Sequence, residues 1–320
     1  NIGKWTQATQ FNLMFQTNTG PSEKTGKNIY LRPETAQGIY INYLLVQNSM
    51  RLKVPFGIAQ IGKAFRNEII ARNFIFRTRE FEQMEMQYFV HPSEDESSME
   101  IWKEKRISFY SKELGISKEK LKFHQHSEDA LAHYAKDAFD IEYHFPFGWG
   151  EVEGIHNRTN FDLKEHEKLS GKNMMYFDAI KNEKYHPFII ETSTGLNRLF
   201  LMVLCESYYE DKENNRTVLK LPFDLAPNKI VVCPLLKKDG LPEKAKAIYD
   251  LISSTHKCVY DQQGSIGKRY YRQDEAGTPF GITIDHETLE DNSITIRERD
   301  SMEQHRIPID NILKFISENK

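Results

Sequence analysis

Polar side chains at alternating positions of one long segment constrain this chain more than any other feature of its sequence. Residues 65–89 have the sequence FRNEIIARNFIFRTREFEQMEMQYF. Successive side chains of a β-strand point to opposite faces, so a strand over residues 80–90 would carry a polar face and a methionine-rich face. The polar face would consist of Phe81, Gln83, Glu85 and Gln87. We expect the methionine face to be core. Because a polar strand face lowers stability unless something binds to it, the segment predicts a binding surface.

The residues just before this strand add charged groups. If residues 64–69 form a strand, Arg66 and Glu68 share one face, and Phe65 and Asn67 share the other. The connecting loop is too basic to bury and suits phosphate groups. Its arginines are Arg72, Arg77 and Arg79. The alternative is an ordinary hairpin with a solvated charged loop.

The sequence RPETAQG at residues 32–38 offers another acid. Arg32 and Glu34 would share a strand face, and Thr35 can cap the helix that follows. A binding role for Glu34 competes with a role as a capping or first-turn acid of that helix.

The glycine-rich sequence GWGEVEG at residues 148–154 predicts a further strand near a ligand. Glu151 and Glu153 alternate with Val152 as they would in a strand, and glycine lets the backbone approach a ligand closely. The alternative is a bulged edge strand.

Residues 189–209 predict a strand that turns into a buried helix, because apolar residues follow GLNR almost without interruption. Glu191 and Ser193 would share a strand face. Arg198 lies in the first helical turn, where the helix dipole disfavours a cation, so we expect an anionic partner there.

Composition bounds the class of protein. The 320 residues and 37.5 kDa allow two domains, and a net charge of −3 excludes a generally basic nucleic-acid coat. The three cysteines are far apart, so we expect neither zinc nor a disulfide framework. We found no apolar run as long as a membrane span and no signal peptide, which favours a cytoplasmic protein. The chain opens on Asn1 rather than Met, and we expect an N-terminal portion to be missing.

The rest of the first half predicts ordinary elements. We expect two strands within residues 5–16 and 28–32, a helix over 93–114 that turns Ile101 towards a core, and a helix over 127–139. His124 and His126 flank that second helix, and without an accompanying carboxylate they are more readily structural than metal-binding.

The second half predicts a linker and a compact α/β module. Residues 211–227 are charged and proline-containing, as in a linker. Periodicity then predicts strands at 229–235, 257–261, 279–285 and 293–298, and helices at 242–255, 265–275 and 310–318. The linker and the module predict one domain over residues 1–224 and another over 225–320.

One predicted helix of this module carries basic and aromatic residues together. Lys268, Arg269 and Arg272 would share a face beside Tyr270 and Tyr271. Basic groups next to aromatic rings suit single-stranded RNA, and a solvated helix face is the alternative.

These motifs together resemble the class II aminoacyl-tRNA synthetases of the glycyl type. FRNE followed by REFEQME resembles the family's motif 2, RPETAQG and GWGE resemble its pocket segments, and residues 189–209 resemble motif 3. Two positions depart from the family pattern, which usually has proline where Thr192 stands and glycine or aspartate where Asn197 stands. The C-terminal module resembles the anticodon-binding domain of glycyl-, threonyl-, prolyl- and histidyl-tRNA synthetases.

The resemblance implies an α+β fold class, in which an antiparallel sheet flanked by helices carries the active site and a C-terminal α/β anticodon-binding domain follows. It also implies ATP and Mg²⁺ as ligands of that active site. Arg66 and Arg198 are then the catalytic cations, and adenine would lie between Phe81 and Arg198. Magnesium would be held through ATP by Glu151 or Glu191. The implied ATP site consists of Arg66, Asn67, Glu68, Phe76, Arg77, Thr78, Arg79, Glu80, Phe81, Glu151, Val152, Glu191, Thr194 and Arg198.

The resemblance also implies a glycine pocket, formed by Glu34, Phe81, Gln83, Glu85, Glu191 and Ser193. Three carboxylates around one α-ammonium would fill the space that a side chain needs, which is the stronger device for selecting the smallest amino acid. Glycine would be activated as glycyl-adenylate and transferred to the 3′ end of tRNA(Gly), with diadenosine polyphosphates as a side product.

The same resemblance implies tRNA(Gly) and a second copy of the chain as partners, in a homodimer whose interface motif would precede residue 1. The residues implied at the anticodon are Lys268, Arg269, Arg272, Arg297 and Arg299. The alternatives are a prolyl-, threonyl- or histidyl-type enzyme, a magnesium-dependent ligase for another small acid, or a non-catalytic relative such as the accessory subunit of mitochondrial DNA polymerase. The last would be expected to lose the motif arginines, which this chain keeps.

Overall fold

The chain folds into two compact units that meet in sequence between Met202 and Val203. The computed structural model describes residues 11–20 and 26–320. This division lies before the domain boundary that we predicted at residue 224. Part of the first predicted strand, over residues 5–16, falls in residues 1–10 and so lies outside the described residues.

Unit 1 consists mainly of antiparallel strands. The strands, in chain order, are β1 (Gln16–Thr19), β2 (Lys27–Tyr30), β3 (Phe56–Phe65), β4 (Glu80–Val90), β5 (Leu121–Gln125), β6 (Asp137–Phe145), β7 (Gly148–Thr159), β8 (Tyr176–Asp178), β9 (Glu183–Tyr185) and β10 (Phe188–Gly195). The helices are α1 (Ala36–Met50), α2 (Asp95–Ser108), α3 (Phe161–Ser170) and α4 (Leu196–Ser207), the last running across the unit boundary.

Six of these strands form one sheet in the order β3-β4-β10-β7-β6-β5, and every neighbouring pair is antiparallel. The alternation predicted for residues 80–90 is confirmed in β4. Its most buried polar side chains are Gln83, Glu85 and Gln87, whereas Met84, Met86 and Tyr88 are half-buried. We expected the methionine face to form the core, but its side chains are only half-buried. The side chains of the polar face are more buried than those of the methionine face.

Helices cover both faces of this sheet. Helix α1 packs beside β3 and β4 through Ile39, Tyr40 and Tyr43, in a core that also holds Phe56 and Phe89. Helix α2 packs on β7 and β10, and the ring of its Trp102 contacts Tyr88 of β4 edge-on.

The expectations for the two helices of unit 1 at residues 93–114 and 127–139 were wrong in part. Residues 127–139 do not form a helix: a short 3₁₀ turn at Glu128–Ala130 is followed by β6, whose alternating buried side chains include Phe139 and Ile141. Ile101 does not face a core, since 49% of it is exposed, and α2 instead buries Ser98 and Met99.

Unit 2 contains a mixed sheet. Its strands are β11 (Tyr208–Asp211), β12 (Arg216–Leu219), β13 (Ile230–Pro234), β14 (Cys258–Tyr260), β15 (Phe280–Ile284), β16 (Ser293–Glu298) and β17 (Gln304–Pro308). Its helices are α5 (Leu241–Ser253), α6 (Ile266–Ala276), α7 (His286–Asp291) and α8 (Ile312–Glu318). The sheet order is β14-β13-β15-β16-β17, parallel around β13 and antiparallel beyond β15.

The predicted elements of the C-terminal module are confirmed, and the structure adds α7 and β17. Helix α5 shows why the pattern was predictive, because Leu241, Ala245, Ile248 and Ile252 recur at helical spacing and are all buried. Helix α7 was too short for a periodic signal. It begins with a capping box between Asp285 and Thr288.

The predicted linker over residues 211–227 is wrong in its first part. Residues 208–219 form the hairpin β11–β12, which packs on α6. Arg216 anchors it, because its buried guanidinium contacts Asp211 at 2.7 Å and Asp274 of α6 at 2.8 Å. Buried arginines are retained when carboxylates pair with them, so Asp211 and Arg216 are structural charges.

Among the described residues, no helix combines the length and the apolar character needed to cross a membrane.

Asp274 supports unit 2 by accepting hydrogen bonds from two buried arginines, Arg216 and Arg297. We predict that Asp274→Ala lowers the free energy of unfolding by roughly 3–5 kcal/mol, since both guanidinium groups would lose a buried partner. Calorimetric melting measures this. Glu275→Ala, at the exposed next position of α6, is the control and should change stability by less than about 0.5 kcal/mol. Equal melting temperatures for the two variants would contradict the prediction.

Candidate functional site

One face of the six-stranded sheet of unit 1 forms a hollow of about 240 Å³. Strand register explains which side chains meet there, because directly opposite residues share a face. Ser193 of β10 lies opposite Glu85 of β4, and Glu191 of β10 lies opposite His156 of β7. The predicted residues that line the hollow are Glu34, Arg66, Glu68, Phe76, Arg77, Thr78, Phe81, Gln83, Glu85, Glu151, Glu191, Ser193 and Arg198.

Glu85 lies buried on the floor of the hollow and accepts three side-chain hydrogen bonds. Gln83 and Ser193 donate to Oε1 at 2.9 and 3.0 Å, and Thr35 donates to Oε2. Thr35 stands at the N-cap of α1 as predicted, but its hydroxyl is directed at this carboxylate. Burial, and then the charge of Glu191, raises the pKa of Glu85 to about 7.

Glu191 is equally buried but is held in its ionised form. Its Oε2 accepts from Gln87 at 2.6 Å and from Arg158 at 3.0 Å, and its Oε1 lies 2.8 Å from Nδ1 of His156. Burial favours the neutral acid, but the charge of Arg158 and the contact with His156 outweigh it and keep the pKa of Glu191 well below its usual range.

Arg158 is the cation that makes this arrangement possible. Its side chain is 2% exposed, and it donates to both carboxylate oxygens of Asp162 at 2.9 and 3.1 Å. The ring of Tyr134 lies 4.0 Å from its guanidinium carbon. These contacts, together with the one to Glu191, make Arg158 a structural support of the site.

The other end of the hollow carries two arginines against aromatic rings. Arg66 lies 5.5 Å from the ring centre of Phe81, and Arg198 lies 4.4 Å from that of Phe76. Adenine was expected between Phe81 and Arg198, but Arg198 stacks on Phe76 in this structure. Arg198 also donates to the carbonyls of Phe76 and Glu151, so protein groups fix its orientation.

Arg66 and Glu68 were expected on a strand, and this is wrong, because β3 ends at Phe65. Both lie in the loop that follows, where Arg66 donates to the carbonyl of Pro33 at 3.1 Å. Arg77 lines the hollow 3.9 Å from Glu68, and its buried Nε has no hydrogen-bond partner among the described residues. Arg72 is exposed on the loop and does not line it.

Three expected ATP contacts in this loop region lie outside the hollow lined by the described residues. Asn67 donates to the carbonyl of Asn12, and Arg79 donates to the carbonyls of Glu68 and Ile69. Glu80 is paired with Lys63 on the exposed side of β4. These side chains shape the loop.

A β-bulge in β7 separates two glutamates that we expected on one face. Glu151 and Glu153 pair with consecutive residues of β6, so Val152 is the extra residue of the bulge. Glu151 consequently lines the hollow, whereas Glu153 is buried on the other side of the sheet against Arg106 at 2.6 Å.

Val152 and Thr194 were also expected at ATP, and the structure places neither in the hollow formed by the described residues. Val152 is buried in the core. Thr194 lies opposite Glu153 in the register and therefore shares its face, away from Glu191 and Ser193.

The two glutamates expected at magnesium fit differently. Glu151 is 49% exposed and its carboxylate lies 3.2 Å from Arg198, so it can offer an oxygen to a hard cation beside phosphates. Glu191 does not fit, because both its oxygens already contact protein donors.

Sequence reasoning missed one wall of the hollow, formed by His126, Tyr134, Asp140, Gly154 and His156. His126 contacts Asp140 at 2.8 Å, so a carboxylate does accompany it. The available signal was the position of His156, two residues before Arg158 and hence on the same strand face.

Three of the five residues expected at the anticodon are structural. Arg269 is buried and donates to the carbonyls of Pro234 and Gly264, and Arg297 is paired with Asp274. Arg299 is likewise buried and donates to the carbonyls of Leu221 and Gly277. Lys268 and Arg272 are exposed on α6, with Arg272 paired to Asp261 at 2.7 Å.

Comparison with known families assigns both parts of the chain. Residues 15–208 match the tRNA synthetase class II core domain (G, H, P, S and T), and residues 229–319 match an anticodon binding domain. The chain is 56% identical to the glycine–tRNA ligase of Treponema denticola over 96% of its own length and 69% of the relative's.

Two further relatives carry the same name. The chain is 52% identical to the glycine–tRNA ligase of Borrelia hermsii over 99% of its length and 72% of the relative's. It is also 52% identical to that of Chlorobaculum tepidum, over 98% of its length and 67% of the relative's. The resemblance and the fold class expected from the motifs are thereby confirmed. The chain belongs to the glycine–tRNA ligase family of the class II aminoacyl-tRNA synthetases.

Proposed function

We propose that this chain activates glycine with ATP and transfers it to the 3′ end of tRNA(Gly). The observation that carries the proposal is the joint lining of one hollow by three glutamates and two arginines: Glu34, Glu85, Glu191, Arg66 and Arg198. Carboxylates suit an ammonium group and guanidinium groups suit phosphates, so the hollow accommodates both substrates.

The chemistry requires two anions to approach each other. A glycine carboxylate oxygen attacks the α-phosphorus of ATP, pyrophosphate leaves, and a mixed anhydride forms. Arg66 would screen both anions. Arg198, which donates to two backbone carbonyls, would hold the leaving phosphates. No side chain acts as a nucleophile, because alignment and charge stabilisation suffice.

Glycine would bind with its ammonium group beside Glu85. Ser193 and Gln83 already orient this carboxylate, and Glu34 lines the same hollow. Such a crowded floor leaves little room for a side chain on the α-carbon, which is the basis of selection that we propose.

ATP would bind towards the arginine end. Arg66 over Phe81 and Arg198 over Phe76 offer two aromatic–cation pairs for the base and phosphates, and the unpartnered Nε of Arg77 offers a further donor. Thr78 and Glu68 line this end as well. Mg²⁺ held near Glu151 would supply charge neutralisation for the phosphates.

The proposal extends to the partners. tRNA(Gly) would be bound in part by unit 2, supported by the match to an anticodon binding domain. A homodimer and a cytoplasmic location are parts of the same proposal, and sedimentation equilibrium would test the former. Attack of a phosphate oxygen of a second ATP on the phosphorus of glycyl-adenylate would break the mixed anhydride, release glycine and give diadenosine polyphosphates as a side product.

Glycine-dependent ATP–pyrophosphate exchange is the direct test. We predict exchange with glycine, and a kcat/KM with alanine or serine that is lower by a factor of about 100 or more. Arg198→Ala should reduce exchange by a similar factor, since it removes charge stabilisation in the transition state. Exchange with alanine as good as with glycine would overturn the pocket assignment.

The pKa of Glu85 predicts how glycine use depends on pH. A carboxyl with a pKa of about 7 is largely protonated below that pH and offers no charge to an ammonium group. The KM for glycine should therefore fall as pH rises through 7, while the KM for ATP changes little. Glu85→Gln should raise the KM for glycine and flatten this profile. Glu82→Gln, at an exposed position of β4, is the control and should keep the wild-type profile. A profile unchanged in Glu85→Gln would assign the titration to another group.

Substituting the exposed basic residues of α6 should impair the use of tRNA and leave the activation of glycine intact. Changing Lys268 and Arg272 together to alanine should raise the KM for tRNA and leave exchange nearly intact, because both side chains are exposed on unit 2. Aminoacylation measured at two salt concentrations tests this. Lys314→Ala on α8 is the matched control for loss of an exposed lysine. Loss of exchange in the double variant would contradict the assignment.

A further inference from the structure

His156 is a pocket residue to which neither the motifs nor the proposed function gives a role. It lies on β7 directly opposite Glu191 of β10 and lines the hollow with 22% of its side chain exposed. Its Nδ1 is 2.8 Å from Oε1 of Glu191. A donor at this distance, across a directly paired position, fixes the orientation of a carboxylate.

The other contacts of Glu191 make this hydrogen bond important. Gln87 and Arg158 both bind Oε2. Among the described residues, His156 is the only one whose side chain forms a hydrogen bond with Oε1 of Glu191. Oε2 thus accepts two protein hydrogen bonds and Oε1 only one, so the oxygen that can accept a further bond from a substrate is the one whose position depends on His156.

The backbone beside His156 is shaped to admit its ring. A Cβ at Gly154 would lie 2.7 Å from Cε1 of the imidazole, closer than real Cβ contacts come, so a side chain there would displace the ring. The ring therefore lies against the Gly154 backbone. Gly154 pairs with Ser193, so the ring rests on the sheet next to the residues that surround Glu85.

We propose that His156 is a positioning and specificity residue of the amino-acid pocket. Its Nδ1 holds Oε1 of Glu191 at the ammonium end, and its ring, seated over Gly154, occupies volume beside the α-carbon of the substrate. This inference rests on the proposed use of glycine. The competing interpretation is that His156 only stabilises the fold by pairing with a buried acid.

Two substitutions separate the hydrogen bond from the ring. His156→Asn keeps a donor near the position of Nδ1 and removes most of the ring, whereas His156→Ala removes both. In glycine-dependent ATP–pyrophosphate exchange, His156→Ala should raise the KM for glycine roughly tenfold or more, as expected for a lost hydrogen bond to a charged group. The KM for ATP should stay within about twofold. His156→Asn should recover most of the KM for glycine.

Selection against alanine should respond differently. Both variants lose the ring, so both should use alanine better relative to glycine, by roughly tenfold, which is the scale of one methyl group in a pocket. Gly154→Ala, which displaces the ring without removing it, should also raise the KM for glycine. His124→Ala, at an exposed position of β5, is the control and should behave as the wild type.

The outcomes distinguish the two proposals. A wild-type protein without glycine-dependent exchange defeats the proposed function. If the wild type is active but His156→Ala keeps its KM for glycine and its discrimination, the role of His156 is wrong. A parallel rise of the KM for ATP and for glycine, or a loss of folded protein in both His156 variants by circular dichroism, would likewise overturn it in favour of a purely structural ion pair.

Discussion

The buried pair between Arg158 and Glu191 is the interaction on which the hollow depends. A carboxylate with 3% exposure is tolerated in a protein interior only when a cation and hydrogen-bond donors compensate the loss of water. Arg158 supplies the charge, Asp162 orients the guanidinium, and Gln87 and His156 complete the coordination of the acid. Removing one member of such a buried pair costs roughly 3–5 kcal/mol, so site and sheet share the same support.

The pKa values of the two carboxylates on the floor of the hollow, Glu85 and Glu191, are shifted in opposite directions because their hydrogen-bond partners differ. Glu191 receives a cation and stays ionised, while Glu85 receives only neutral donors and has a raised pKa. The folded-state pKa of Glu85 lies above its unfolded value. This group therefore contributes stability that is fully present below about pH 4.5 and is lost as pH rises through about 7. Burial and the charge of Glu191 destabilise the ionised form of Glu85, and the positive charge of a bound ammonium group would compensate for both.

The sequence predicted features that depend on neighbouring residues of the chain. It did not predict features that depend on pairing between distant segments. The alternation in β4, the strand-to-helix turn at Gly195 and the helical spacing in α5 are local, and each was recognised. The bulge at Val152 was not, because its extra residue shows only when β7 is paired with β6. Basic residues posed a similar problem: Arg269 and Arg297 look like a solvated surface in sequence, and only tertiary contacts reveal their buried partners. His156 escaped notice because the strand that gives it a partner lies 35 residues further along the chain.

The bulge in β7 determines which face of the sheet each of two acids reaches. The extra residue of the bulge places Glu151 on the face that forms the hollow and Glu153 on the face covered by helix α2. Because Val152 is the extra residue, the acids on either side of it point to opposite faces although they stand two positions apart, which strict alternation would not allow. A single inserted residue thus lets two nearby acids of one strand pair with different arginines, Arg198 beside the hollow and Arg106 on the opposite face of the sheet.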